Sequence, residues 1–376
     1  MAAAVASPQA SSSVNLQGRD EYIQEAKNYL HSRVSKDTGL SSKKFEIPVI
    51  DLAPSFSPSL ADRISVASKI RDACTSSGFF YITSHGISSS VCDSALKLAD
   101  RFFKELPFEK KDSLHMRNSS LHRGWEPSEF TSLEGQSETK EGFNWGYEEA
   151  FDPTGGDGKY VELDGSATNG NMWPAEDDLP GFYGGIKEYY GQVLQLARHL
   201  FRLFALSLDL PETHFDAMTT HPGGIARILY YPAGAPQAGD TDMQDIGLGA
   251  HSDYECFTIL LCSSAPGLEI LSPNNEWISA APVPGSFIVN VADFLMRWTN
   301  GVYKSTIHRV VNRTQDARYS IPFFFSINYD ETVETLPTCV SEDNPSKYPP
   351  INAGRYILDR LNDVVVEGYG GTGASQ

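Results

Sequence analysis

From residue 225 to residue 328 the chain breaks into short strand candidates separated by turns, and this pattern restricts the fold more than any other feature. The candidates are residues 225–231, 252–262, 268–271, 277–280, 286–291, 304–311 and 319–328, with turn signals at Pro273-Asn274-Asn275, Pro284-Gly285 and Asn300-Gly301. Their residues are rich in β-branched and aromatic types, which favour extended backbone. Many short strands at close spacing indicate a sandwich or a barrel.

Helical periodicity lies on either side of this block. Leu60, Ile64, Ala67, Ile70 and Cys74 recur at helical spacing, as do Val91, Ala95, Leu98, Phe102 and Leu106, with Ser88 as a cap and Pro107 as a stop. A longer stripe, Ile186, Tyr189, Val193, Leu196, Leu200 and Leu203, ends before Pro211. Residues 47–52 and 79–83 read as strands, 20–40 and 353–361 as helices, and 1–18 and 368–376 as disordered ends. The division that follows is a leader at 1–45, an N-terminal region with backing helices at 46–220, a β core at 221–330, and a C-terminal helix and tail at 331–376.

Three residues in the β block have the chemistry of a metal site. On a strand, positions i and i+2 share a face, so His251 and Asp253 at the head of the 252–262 candidate would stand side by side. His308 lies on the 304–311 candidate. Two histidines and one carboxylate form a facial triad, a ligand set that holds Fe(II) and leaves its other positions open. Each residue alone is as easily a polar strand end. Arg318 and Ser320, again at i and i+2, suit a carboxylate: the guanidinium makes paired charge-assisted bonds and the hydroxyl adds a donor.

In this order and spacing, His251-x-Asp253, His308 and Arg318-x-Ser320 resemble the Fe(II)- and 2-oxoglutarate-dependent dioxygenases. The narrower resemblance is to the branch of isopenicillin N synthase and the plant flavonoid and hormone oxygenases. Ile47-Pro48-Val49-Ile50-Asp51-Leu52, the stretch Gly78 to Ile87, and Arg297 to Ser305 leading into His308 extend it over residues 46–330. The resemblance implies an α+β fold with a double-stranded β-helix (jelly-roll) core flanked by helices. It also implies Fe(2+) on the triad, and 2-oxoglutarate anchored by Arg318 and Ser320, with O2 as second co-substrate. Tyr231, in Tyr230-Tyr231-Pro232, matches a tyrosine that donates to 2-oxoglutarate, although Leu229 stands where the family has Asn. Arg123, Phe143 and Trp145, with Lys140 and Glu141, resemble the segment bordering the substrate. Residues 233–249 form a longer loop than the family pattern, read as solvated or as a lid.

The implied reaction is oxidation of a C–H bond of a small organic substrate, by hydroxylation, desaturation or ring formation, in specialised metabolism. Two alternatives stay open at this point. One is an isopenicillin N synthase-like oxidase that uses O2 without 2-oxoglutarate, since Arg318-x-Ser320 could hold a substrate carboxylate instead. The other is a non-catalytic binding protein on the same fold. The formal charge of −18 argues against nucleic acid or an anionic membrane as partner, and no apolar run reaches membrane-spanning length. Five cysteines without CxxC spacing, and no signal peptide, fit free thiols in the cytoplasm.

Overall fold

The computed structural model describes residues 23–25, 27–30, 32–33, 46–128, 132–133, 136–167, 170–233, 246–312 and 314–363. Its core strands are β1 (Val49–Asp51), β2 (Phe79–Thr83), β3 (Gly124–Glu126), β4 (Glu141–Trp145), β5 (Gly224–Tyr231), β6 (Ile246–His251), β7 (Phe257–Cys262), β8 (Leu268–Leu271), β9 (Trp277–Ser279), β10 (Phe287–Val291), β11 (His308–Val311) and β12 (Arg318–Phe325). They form two facing sheets. The larger runs β1-β2-β10-β7-β12-β5-β4-β3 and the smaller β9-β8-β11-β6. This is the α+β jelly roll that the resemblance implies, and it is one form of the sandwich or barrel that the short-strand pattern indicates.

The larger sheet is buried on both faces. Phe80, Ile82, Ile259, Leu261, Val289, Ile321, Phe323 and Phe325 point outward into a core shared with the helices. Phe79, Tyr81, Leu229, Tyr231 and Ile288 point inward to meet Leu268, Ile270 and Val310 of the smaller sheet. A strand covered on both faces reads as a continuous apolar run, which explains why β2, β10 and β12 are visible as strands in the sequence. Three helices form the backing layer: α1 (Leu60–Ser76), α2 (Ser89–Lys104) and α3 (Phe182–Ser207). Two further helices, α4 (Asp293–Trp298) and α5 (Ala353–Asn362), pack near the β6–β7 connection. Phe201 of α3 contacts the rings of Phe215, Phe257, Trp298 and Phe325, tying the long helix to the sheet.

Several expected elements shift. Leu60 and Ile64 are 49% and 47% exposed, whereas Val66, Ala67, Ile70, Ala73 and Cys74 form the buried stripe of α1. Ser59 and Ser88 cap α1 and α2, their hydroxyls accepting from Asp62 N and Val91 N. The strand expected at 252–262 starts only at Phe257. The carbonyls of Asp253, Tyr254 and Cys256 instead accept from the backbone of Asp293, Phe294 and Ala292 at the start of α4, so they cannot join a ladder. His251 therefore ends β6, and the loop expected at 233–249 becomes strand from Ile246; its residues 234–245 lie outside the described residues, as do 1–18 and 368–376. The strand expected at 304–311 begins at His308. The helices expected at 20–40 and 353–361 appear in the described part of 23–33 and as α5.

Candidate active site

Between the sheets lies a cavity of about 160 Å3. The inward face of the larger sheet carries polar residues at alternate positions: Asn144 of β4, Arg227 of β5, Thr258 of β7, Asn290 of β10, and Arg318 and Ser320 of β12. Thr258 and Asn290 sit in otherwise apolar strands, so each marks the face that turns toward the cavity.

His251, Asp253 and His308 come together in its wall. One potential ligand atom from each lies within 4.8 Å of the others. β6 and β11 pair antiparallel with His308 opposite His251, and the ring centroids are 4.3 Å apart. Asp253 follows two residues after His251, beyond the end of the strand, and its Oδ1 is 3.6 Å from His251 Nε2 and 3.5 Å from His308 Nε2. The neighbouring bonds fix which atoms face inward. His251 Nδ1 is 2.8 Å from Gly249 O, and His308 Nδ1 is 3.1 Å from Thr306 O. A carbonyl only accepts, so Nδ1 carries the proton and Nε2 offers its lone pair. Thr258 Oγ1 (2.5 Å) and Asn290 Nδ2 (2.7 Å) both donate to Asp253 Oδ2, leaving Oδ1 for the centre. This is the outer support that metal ligands need, and the sequence motifs point to neither Thr258 nor Asn290. Their signal is a polar residue at an inward position of an apolar strand.

Burial, reinforced by the facing His308, pushes His251 down to about 4. Burial also opposes charge on Asp253 and His308, but their mutual attraction outweighs it, holding Asp253 well below the usual carboxylate range and His308 above the usual imidazole value. Two neutral-capable imidazoles and an ionised carboxylate, converging through unblocked atoms, suit a divalent cation.

Arg318 is 1% exposed. Its Nη1 donates to Ser320 Oγ at 3.3 Å and its Nη2 to Cys262 Sγ at 3.4 Å, its guanidinium lies 4.9 Å from the Tyr231 ring centroid, and its Nε has no partner. No carboxylate among the described residues pairs with it. A buried cation is costly unless paired, so a carboxylate-bearing ligand is the partner this end of the cavity lacks. Tyr231 faces Arg318 across the β5–β12 register, and its hydroxyl is pushed up by burial.

The expected substrate residues separate. Arg123 and Lys140 line the cavity, but Phe143 and Trp145 do not. On β4, Glu141, Phe143 and Trp145 share one face and Gly142 and Asn144 the other. Phe143 and Trp145 point away, into rings that include Phe102, Trp173 and Phe182. Glu141 lies on that outer face and accepts from Trp125 Nε1 and Lys111 Nζ. Phe143 and Trp145, expected to border the substrate, thus lie on the side of β4 away from the cavity, and Asn144 is the β4 residue that lines it. Arg123 is fully buried, donating to Glu162 Oε2 at 2.9 Å and to Leu121 O at 3.0 Å. Lys140 pairs with Glu126 and Glu138, and Glu126 also pairs with Arg227.

Comparisons with known proteins agree with this geometry. Residues 47–176 match the N-terminal family model of non-haem dioxygenases in morphine synthesis, and residues 222–327 match the model of the 2OG-Fe(II) oxygenase superfamily. The 2-oxoglutarate-Fe(II) type oxidoreductase hxnY of Emericella nidulans is 36% identical over 86% of this chain and 90% of its own length. A homoarginine-6-hydroxylase of Oryza sativa subsp. japonica is 31% identical over 84% and 96%. Among solved structures, a full-length Neurospora crassa protein in complex with alpha-KG and thymine superimposes with a TM-score of 0.75 at 27% identity, covering 86% of this chain and 98% of that one. These relatives support 2-oxoglutarate use, and support neither the 2-oxoglutarate-independent oxidase nor the non-catalytic alternative. With relatives that span both the N-terminal region and the jelly roll, the chain belongs to the 2OG-Fe(II) oxygenase superfamily: it is a 2-oxoglutarate-dependent dioxygenase that uses Fe(II), 2-oxoglutarate and O2 on a small-molecule substrate.

Proposed function

We propose that His251, Asp253 and His308 hold Fe(II), and that Arg318, Ser320 and Tyr231 hold the distal carboxylate of 2-oxoglutarate. The observation that carries this reading is the buried Arg318 guanidinium, without an acidic partner, in the same cavity as three converging ligand atoms. With its co-substrates bound, the iron supplies the oxidation of a C–H bond. The chain's own residues do the rest. Thr258 and Asn290 orient Asp253, and Gly249 and Thr306 set the imidazole tautomers. Leu229, Leu248, Leu260 and Val310 keep water from the centre, and Asn144 and Arg227 offer polar contacts to the substrate.

The substrate we infer is a small, nitrogen-bearing organic molecule, and hydroxylation is the outcome we favour. Homoarginine and thymine, in the names of two relatives, support that class. Specialised metabolism in the cytoplasm is the setting we propose. All five cysteines are unpaired, and among the described residues no helix is long and apolar enough to cross a membrane.

The test is anaerobic titration of the Fe(II)-loaded protein with 2-oxoglutarate, followed by its visible charge-transfer band. Arg318→Leu is expected to weaken binding by about 2–5 kcal/mol, the cost of removing one partner of a buried charged pair. Arg318→Lys should restore part of it, because a point charge cannot make the two-pronged contact. Wild-type affinity in Arg318→Leu, or substrate turnover at full rate without 2-oxoglutarate or succinate release, overturns the assignment.

A further inference from the structure

The cavity has a second end. Arg318 opens β12 and Ser326 follows its last residue, an eight-residue strand spanning on the order of 25 Å. Beside that far end sits Glu255, which is 2% exposed and lines the cavity. Tyr329 Oη donates to Glu255 Oε1 at 3.1 Å, and the Ser326 hydroxyl lies against the same carboxyl, but neither Oε2 nor Ser326 Oγ makes a well-formed hydrogen bond. Arg123, whose charge also acts on Glu255, directs its two terminal nitrogens to Leu121 O and Glu162 Oε2 and makes no hydrogen bond to Glu255.

Formal charges along the cavity sharpen the point. Arg123 offsets Glu162, and Lys140 and Arg227 offset Glu126 and Glu138. Arg318 at one end is left with a positive charge that no described residue balances, and Glu255, when ionised, at the other end with a negative one. A buried carboxylate oxygen without a donor is destabilising, because it loses its water and gains nothing in return. A structural carboxylate inside a protein normally has both oxygens engaged. Here the open oxygen belongs to a residue that lines the space where a substrate lies.

We propose that Glu255, assisted by Ser326, binds a basic nitrogen group of the substrate (a protonated amine, amidine or guanidine) at the end of the cavity opposite Arg318. The proposal rests on the functional reading above, since it assigns the Arg318 end to 2-oxoglutarate and this end to the substrate. Charge-assisted N–H donors to a desolvated carboxylate are roughly twice as strong as neutral ones, so the site discriminates by charge. A carboxylate-bearing molecule is rejected here, and a neutral amide is intermediate.

The experiment uses the full chain, loaded anaerobically with Fe(II) and 2-oxoglutarate and titrated calorimetrically with benzamidine, benzamide and benzoate. These probes share a ring and differ only in the head group. Benzamidine is expected to bind once per chain, at least about tenfold tighter than benzoate. Glu255→Gln is expected to abolish that preference while leaving 2-oxoglutarate affinity unchanged. Where Glu255→Gln does not fold, Ser326→Ala serves, with benzamidine weakened severalfold and benzoate unaffected. Benzoate binding as tightly as benzamidine to the wild type, or an unchanged preference in Glu255→Gln or in Ser326→Ala, overturns the proposal. Failure of the wild type to bind 2-oxoglutarate would sink the earlier reading instead, and retained 2-oxoglutarate binding with no cation preference would sink only this one.

Discussion

The two oxygens of Asp253 are divided between two tasks. Oδ2 receives Thr258 and Asn290, and Oδ1 faces both histidine Nε2 atoms. Asn290→Ala or Thr258→Val should therefore lower Fe(II) affinity about 10–100-fold without touching the metal. Equilibrium dialysis checks this, with circular dichroism to confirm the fold; unchanged affinity would mean Asp253 needs no such support. His308→Ala should abolish iron binding and leave the chain folded. The pH dependence follows from the same residues. In the metal-free protein His308 titrates above its ordinary value, so the stability it contributes is present at low pH and lost as pH rises through that raised value. Asp253 is depressed, so its contribution is present above the ordinary carboxylate range and lost only as pH falls through its lowered value. Metal must displace the His308 proton. Fe(II) affinity should thus climb as pH rises through the raised His308 value and level off above it. His251, already neutral above about 4, adds no slope near neutrality. Binding that is flat from pH 6 to 8 would contradict this.

At the scale of elements, α1 shows how a periodic stripe can be half right. Ile64 and Ile70 both fall on the helical repeat read from the sequence, yet Ile64 is 47% exposed and Ile70 fully buried. Ile70→Ala should cost about 2–5 kcal/mol in urea unfolding, and Ile64→Ser should stay within about 0.5 kcal/mol. Comparable losses at both sites would mean that Ile64 packs against a further surface. The turn after α1 is equally constrained. Gly78 has φ +69°, and a Cβ there would lie 2.0 Å from Lys304 O, so any side chain would push apart the joint between the helix and the segment leading to His308. The β6–β7 connection is the element the sequence represents least well. Its apolar character suggests one strand, but its carbonyls hold the start of α4, and that departure from the ladder carries Asp253 beside His251 and places Glu255 in the cavity wall.

For the whole molecule, the sheet joins what the sequence separates. A boundary near residue 220, proposed from the sequence, divides the N-terminal region from the jelly roll, but β1 and β2 extend one edge of the larger sheet and β3 and β4 the other. A fragment of residues 221–363 would lose both flanks and expose the edges of β10 and β5, together with the outward apolar face covered by α1, α2 and α3. It should aggregate or unfold without a cooperative transition, as read by differential scanning calorimetry. A sharp transition near that of the full chain would make the core an autonomous domain.

The ligand set, its order along the chain and the anchoring Arg318-x-Ser320 are legible in the sequence, because each is a local pattern of residue types. So are most strands, because apolar runs bounded by turns keep their meaning in any context. Which face of a strand meets the cavity is not legible. β4, β5, β7, β10 and β12 are buried on both sides, so hydrophobicity does not alternate and gives no direction. The sequence accordingly puts Phe143 and Trp145 in the cavity and passes over Asn144, although one residue of offset reverses every side chain. Glu255, Thr258 and Asn290 become visible only when two sheets and a short helix close around them. Their meaning lies in partners far along the chain, which only the closed fold supplies.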